Sequence, residues 1–297
     1  MISKYRTKGL SLKKALFFCG LSKSSYYYKQ RSGNPGRKPS THTLTRNGDE
    51  VSNAAVVSYI EQVYDDPFID YGYVKMTYEL RDTYHLLINH KKVYRLMKES
   101  SLLQERRGRE KRNRRRVSSW KVSVSRPFEL LEMDIKHIRV SGEGKQYYML
   151  NVLDCYSWKL VGYRFSASIK KHDVVNLLRS IFALYDYPSR ITIRSDNGSQ
   201  FVAKRVAEYL DEANVAHEFT HVATPQENGY VESFHSIVSR FIRQRGPFRD
   251  FEEAKDVLQR WTQYYNERRR HKGCRYSTPN EVMRRYFEKQ KLGNNIA

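Results

Sequence analysis

The feature that most constrains this chain lies between residues 130 and 220, where strand-length apolar segments follow one another in a set rhythm. LLEMDIKHIRV, KQYYMLNVLDCYS, KLVGYRFSAS and RITIRSD are rich in Ile, Val, Leu and Tyr, residues that suit a pleated, half-buried surface. Ser141-Gly142-Glu143-Gly144 marks a hairpin turn between the first two, and Cys155-Tyr156-Ser157-Trp158 separates the second from the third. Helices then enter. KHDVVNLLRSIFALYDYP places Val174, Leu177, Leu178, Ile181 and Leu184 on one helical face, KRVAEYLDEA reads as another helix, and HEFTHV as a short fifth strand. Three consecutive strands, then strands alternating with helices, predict an α/β domain with a mixed five-stranded sheet and flanking helices.

Charge narrows the partners. The 297 residues carry 54 Lys and Arg against 32 Asp and Glu, a formal net charge of +22, which predicts attraction to a polyanion. Nucleic acid is the first candidate and an anionic membrane surface the second. No apolar run approaches the roughly 20 residues that span a bilayer. ALFFCGL is too short, and SKSS after it too unlike a cleavage site, for a signal peptide. Cys19, Cys155 and Cys274 form no C-x-x-C pair, which argues against a disulfide framework or a cysteine-rich zinc module and fits a reducing cytoplasm.

The first half is helical and basic. No acid precedes Asp49, whereas eleven Lys or Arg do. Within residues 1–31, Leu12, Ala15, Leu16 and Cys19 share one helical face, Gly20 breaks the helix and Ser22 caps the next. That second helix would present Lys23, Ser24 and Ser25, the layout of a DNA-reading helix-turn-helix; a basic hairpin that only touches phosphates has the same layout. Residues 32–50, rich in Gly, Pro, Ser and Thr, read as a linker. Helical patterns return over 51–103 in NAAVVSYIEQVY, GYVKMTYELRD and NHKKVYRLMKES, the last with Asn89 as its cap. This three-helix module suits a second nucleic-acid contact and a purely structural bundle equally. In segment 104–125, eight Lys or Arg oppose two Glu between Gln104 and Arg116. Set between two patterned regions, it reads as a flexible arm whose Arg106, Arg107, Arg112, Arg114, Arg115 and Arg116 lie along phosphates, supplying affinity rather than sequence reading.

Three acids stand out against this background. Asp134 lies inside the first strand between Met133 and Ile135, so it is either solvent-facing by alternation or held by a partner. Asp196 follows the fourth strand, where ligands gather in such sheets. Glu232 lies in ENGYVESFHSIVSRFIRQ, a helix opened by Asn228-Gly229 with a stripe of Val231, Phe234, Val238 and Phe241 or Ile242. It falls off that stripe, on a face with Ser236, Ser239 and Arg243. Brought together, the three would repel unless cations intervened. Two Mg²⁺ remove the conflict, and a metal pair also activates an attacking hydroxyl and stabilises a phosphodiester's leaving oxygen. Hard oxygen ligands favour Mg²⁺, or Mn²⁺ in its place, over zinc.

Asp134, Asp196 and Glu232, with 35 residues between the last two, match the D,D-35-E pattern of retroviral-integrase-like transposases. MDIKHI, NVLDCYSWKLVGY, SDNGSQF, NGYVESFHSIVSRF and YNERRRHKGCRYSTPNEV resemble successive blocks of the OrfB-type subunit of bacterial insertion-sequence transposases, and DYGYVKMTYEL and NHKKVYRLMKESSL resemble the helical module ahead of its core. The resemblance runs from about residue 50 to 285. It implies a ribonuclease-H-like core over 126–245, small all-α DNA-binding modules before it and a helical extension over 246–297. It implies metal ligation by the three acids, a loop shaped by Asn197, Gly198 and Gln200, and Asn228 near the DNA end. His235 and Arg243 on the helix that carries Glu232 are further candidates for DNA contact. The activity implied is cleavage of double-stranded DNA at the 3′ ends of an element and joining of the freed 3′-OH to another phosphodiester. At least a homodimer on DNA is expected, with an upstream-frame subunit as a further partner, in the bacterial cytoplasm at the nucleoid. Trp158 and Arg269-Arg270-His271 depart from the family, which commonly carries Arg and Arg-Pro-His there. A ribonuclease-H-like nuclease and an inactive DNA-binding regulator are the alternatives; the N-terminal helices favour defined DNA ends over the first, and the intact acids speak against the second.

Other residues are set aside. His217 to His221 spell H-E-x-x-H, but that zinc motif needs a helix, and on a strand the imidazoles stand about 13 Å apart. Asp154 reads as a turn residue held by hydrogen bonds, His137 as near the site only if its strand is edge-accessible, and Glu227 as a favourable charge at a helix N-terminus. The arm yields a first prediction. Neutralising the arginines of 106–116 should make the plot of log affinity for DNA against log salt shallower, by about 0.9 for each phosphate that the arm no longer neutralises; an unchanged slope in a binding titration would show that the arm lies elsewhere.

Overall fold

The computed structural model describes residues 2–28, 39–104, 124–185, 190–220 and 228–294, which divide into two compact units, Met1–Thr41 and His42–Ala297. The first holds three short helices, α1 (Ile2–Arg6), α2 (Leu12–Phe18) and α3 (Lys23–Tyr27). Ser11 caps α2 by accepting the Lys14 amide, Ser22 caps α3 by accepting that of Ser25, and Gly20 turns the chain between them at φ 63°. Ala15 and Leu16 are buried, whereas Lys23 and Ser24 face outward.

The second unit opens with a correction. Part of the expected linker 32–50 is a hairpin, β1 (His42–Leu44) pairing antiparallel with β2 (Glu50–Ser52); residues 32–38 lie outside the described residues. Asn47-Gly48 makes its turn, with Gly48 at φ 94° and the Thr45 hydroxyl oxygen accepting the amides of Asn47 and Asp49. An Asn-Gly pair is a hairpin signal, hidden here by polar surroundings. The module expected to be all-α thus carries a β-hairpin, bridged at Thr45 to Leu86. Beyond it, α4 (Asn53–Tyr64), α5 (Tyr73–Thr83) and α6 (His90–Glu99) bury Val56, Ile60, Met76, Leu80, Val93 and Met97 in one core.

The sheet comprises β3 (Leu130–Val140), β4 (Lys145–Asp154), β5 (Leu160–Ser166), β6 (Ile191–Ser195) and β7 (Val215–Phe219) in the order β5-β4-β3-β6-β7. The first three strands pair antiparallel, as short hairpin links require; β3–β6 and β6–β7 pair parallel, because the chain crosses over through α7 (Lys171–Leu184) and α8 (Lys204–Glu212). Met133, Leu150 and Ile193 meet Val174, Leu178 and Val206 of those helices in one core. Ile138, Val140 and Met149 meet Phe234, Val238, Leu258 and Trp261 of α9 (Gly229–Arg245) and α10 (Phe251–Glu267) in another. α11 (Pro279–Asn294) follows. This is the ribonuclease-H-like arrangement, a mixed five-stranded sheet with flanking helices.

Two buried carboxylates hold the parts in place. Asp70 takes both terminal nitrogens of Arg269, whose side chain is 2% exposed, while Arg270 reaches Glu79 and Asp82. The Tyr71 hydroxyl donates to the Arg268 carbonyl and accepts the Arg270 amide. These interactions fasten the helical module to the core. Burial alone would push the Asp70 carboxyl up, but the Arg269 guanidinium outweighs it and holds the group below the usual range. Glu132 on β3 is 1% exposed and accepts the Val231 amide at 2.8 Å, fixing the first turn of α9. Burial pushes its carboxyl up to about 7.

Asp70→Asn leaves Arg269 buried without its counter-charge, and urea denaturation should show a loss of about 3–5 kcal/mol. Glu132 has a folded-state pKa above its ordinary value, so it favours the fold at low pH and disfavours it once pH has risen through 7. Glu132→Gln keeps an acceptor for Val231 and removes the charge. The variant should lose less stability than the wild type between about pH 5 and pH 9, by up to about 3 kcal/mol; parallel stability curves would contradict this.

Candidate active site

Where β3 and β6 run side by side, Met133 faces Ser195. The next pair outward is Asp134 and Asp196, at the point where the strands part. Neighbouring strands lie about 4.8 Å apart, and equal parity in the register sends both side chains to the same face. On the other side of β3, Asn151 of β4 is the register partner of Asp134. The third acid arrives on α9: Glu132, two residues before Asp134 and on its face of the strand, holds the amide of Val231, and the next residue is Glu232. Three acids far apart in the chain are thus drawn to one end of the sheet.

Their electrostatics agree with this framework. Asp134 is pushed up to about 6, first by burial and then by repulsion from Asp196 and Glu232, while the Ile135 amide donates to its Oδ1 at 2.7 Å. Partial burial raises Glu232 as well. As arranged, however, no three His, Cys, Asp or Glu side chains among the described residues stand close enough to hold a metal ion. The three acids expected to share a metal are therefore near one another on the backbone without their side chains being gathered into a ready ligand set. Asp196 and Glu232 are exposed, and mutual repulsion favours rotamers that keep carboxylates apart. The backbone framework is in place, and a donor set of carboxylate oxygens fits a hard dication.

The other expected site residues are distributed as follows. Asp196 Oδ1 accepts the Gly198 amide at 3.0 Å, and the side-chain amide of Gln200 folds over Gly198, where a Cβ would come within 2.3 Å of its nitrogen. Asn197 donates to the Thr220 carbonyl at 2.9 Å, tying this loop to the end of β7. Arg243 is exposed and lines a cleft of about 380 Å³ with Lys136, His137, Arg139 and Ser239. Two residues expected on DNA require correction. Asn228 is 6% exposed at the start of α9, and His235 is turned inward, with Nε2 at 3.0 Å from Asn151 Nδ2 and Nδ1 at 3.5 Å from Asp134 Oδ2. Burial pushes the His235 imidazole down to about 3, so it is a neutral neighbour of Asp134. Arg106, Arg107, Arg112, Arg114, Arg115, Arg116, His221 and Glu227 lie outside the described residues.

His137 falls on the opposite strand parity from Asp134 and packs edge-on against Tyr148. His217 is on β7, 3.0 Å from the Ser195 hydroxyl, a strand setting that a zinc helix motif cannot use. Asp154 is fully buried and accepts from the Phe128 amide and from the amide and hydroxyl of Ser157, the turn role expected of it. Sequence reasoning missed Glu132, Asn151, Lys136 and Arg139. Glu132 and Asn151 had one available signal, a polar side chain inside an apolar strand on the parity of an acid already suspected.

Two families, each described as an integrase core domain, match residues 124–225 and 213–279, together just over half of the chain. A family described as an HTH-like domain matches residues 50–110, over α4–α6 rather than over residues 1–31. The chain is similar to an uncharacterized 39.2 kDa protein of insertion element IS476 from Xanthomonas euvesicatoria, 26% identical over 68% of this chain and 58% of that protein. It is also similar to the putative transposase InsK of IS150 from Escherichia coli, 25% identical over 73% of this chain and 78% of that protein. Among solved structures, the HTLV-2 integrase catalytic core domain in complex with magnesium aligns at a TM-score of 0.43 and 13% identity, covering 53% of this chain and 97% of that one. Along one chain, then, an HTH-like domain is followed by an integrase core domain, and the chain as a whole is similar to insertion-sequence transposases.

Proposed function

We propose that this chain is a DDE transposase that binds the terminal inverted repeats of its own insertion sequence, cleaves the DNA at the 3′ ends of the element and joins each freed 3′-OH to another phosphodiester. What supports this reading is the framework that brings Asp134, Asp196 and Glu232 to one end of the sheet, namely the β3–β6 register and the hydrogen bond from Val231 to Glu132, while the side chains as arranged still have to draw together to hold a metal. Those three carboxylates would hold two Mg²⁺, or Mn²⁺ in their place, which would offset phosphate charge, activate the attacking hydroxyl and stabilise the leaving oxygen.

The chain's own residues account for the rest. Asp134 is set on a rigid central strand, with Asp196 and Glu232 exposed beside it to close on the substrate. In the first step a water oxygen bonds to phosphorus, the P–O3′ bond breaks, and the leaving oxygen takes up a proton as the element's 3′-OH. In the second, that hydroxyl gives up its proton, bonds to a target phosphorus and displaces the target's own 3′ oxygen. Lys136, Arg139 and Arg243 line a cleft beside Asp134, and none is in an ion pair among the described residues, so it suits the phosphates of a strand leading from the site. DNA reading falls to α3, with Lys23 and Ser24, and to the HTH-like module, while the basic arm adds affinity through phosphates. Two ends processed together call for at least a homodimer on DNA, with an upstream-frame subunit as a further partner.

Asp134→Asn, Asp196→Asn and Glu232→Gln should each abolish cleavage and joining of element ends in Mg²⁺, while gel-shift affinity for the same DNA persists. A variant that still joins ends removes its residue from the site.

A further inference from the structure

Asp134 faces Asn151 across the β3–β4 ladder, and His235, three residues after Glu232 on α9, reaches both. Asn151 is fully buried. Its Nδ2 lies 2.9 Å from the Met149 carbonyl oxygen and 3.0 Å from His235 Nε2. The carbonyl can only accept, so Asn151 must present its NH₂ group there; the flipped amide would press two oxygens together. Asn151 Oδ1 has no hydrogen-bond partner, so the donors alone set the amide's orientation.

That NH₂ has a second hydrogen, and it points to His235 Nε2. A hydrogen on Nε2 would oppose it, so Nε2 is the bare nitrogen of a neutral ring and the ring hydrogen is on Nδ1. Nδ1 faces Asp134 Oδ2 at 3.5 Å, longer than an ordinary N–H···O hydrogen bond, while Oδ1 already accepts the Ile135 amide.

We propose that the Met149 carbonyl, Asn151 and His235 form a hydrogen-bond relay that fixes His235 as its Nδ1–H tautomer and thereby orients the carboxylate of Asp134. His235 and Asn151 are then positioning residues. The role rests on the reading of Asp134 as a metal-holding acid. With Oδ1 accepting the Ile135 amide and Oδ2 facing the Nδ1–H of His235 at 3.5 Å, the carboxyl group is biased toward one orientation, and each oxygen keeps lone pairs for a cation. A neutral donor does this without cancelling the negative charge that attracts a dication, which a lysine or arginine in its place would do. Partners of this kind, one step removed from a metal ligand, set ligand orientation and basicity.

Nitrogen NMR of the full chain with ¹⁵N-labelled histidine reads the tautomer directly: Nδ1–H with a bare Nε2 is expected for His235, and Nε2–H would overturn the relay. Electron paramagnetic resonance of free Mn²⁺ then tests the positioning, with the metal alone as probe. His235→Leu should weaken Mn²⁺ binding by about 10–100-fold, whereas His235→Asn, whose amide can place an N–H where Nδ1 stands, should recover most of it. Equal losses in both variants would reduce His235 to packing and overturn the positioning role. If Asp134→Asn binds Mn²⁺ as the wild type does, Asp134 leaves the metal site and the proposed function falls, while the tautomer measurement still decides the relay by itself.

Discussion

The ladder between β3 and β6 runs from Leu130 opposite Thr192 to Met133 opposite Ser195, and the candidate site begins where it stops. Parallel pairing is what makes this possible. An antiparallel neighbour would put Asp196 at the far end of β3, whereas two strands running the same way reach the same edge together. The crossover through α7 that enforces this direction is covered by a large apolar interface with Val174, Leu178 and Ile181, so the position of the two Asp backbones is set by burial far from the site itself. Glu132 adds the third element by capping the first turn of α9. The polar chemistry therefore stands on one hydrophobic crossover and one buried hydrogen bond.

Much of this was legible in the residues. Strand-length apolar runs marked β3 and β4, and a 3.6-residue stripe marked α9, nearly to the residue; β3 and β4 meet a core on each face, so they read as near-continuous apolar segments. The stripe of Val231, Phe234, Val238 and Phe241 is buried, leaving Glu232 on the open side. The β1–β2 hairpin was not legible in composition, since three-residue strands carry too little pattern to outweigh polar neighbours. His235 was misjudged for a different reason: its direction is decided by Asn151, a residue on another strand. Interactions that cross the chain in this way leave no local trace.

The positions that depart from the family pattern pack around the closing segment, Trp158 against it within the core and Arg270 from it onto the helical module. Trp158 adopts φ 64° and lies so close to Gly273 that a Cβ there would come within 2.6 Å of the indole; the Tyr265 hydroxyl donates to its carbonyl. Arg270, which stands where the family commonly has proline, uses its side chain to bind Glu79 and Asp82. Both residues tighten the packing of the closing segment.

The fastening of Asp70 to Arg269 has a geometric corollary. A duplex gripped by α4–α6 would meet the acids at a set remove, since the grip and the cutting edge belong to the same body. The interval between bound base pairs and severed bond would be gauged by protein, like marks on a ruler, instead of by the slack of a tether.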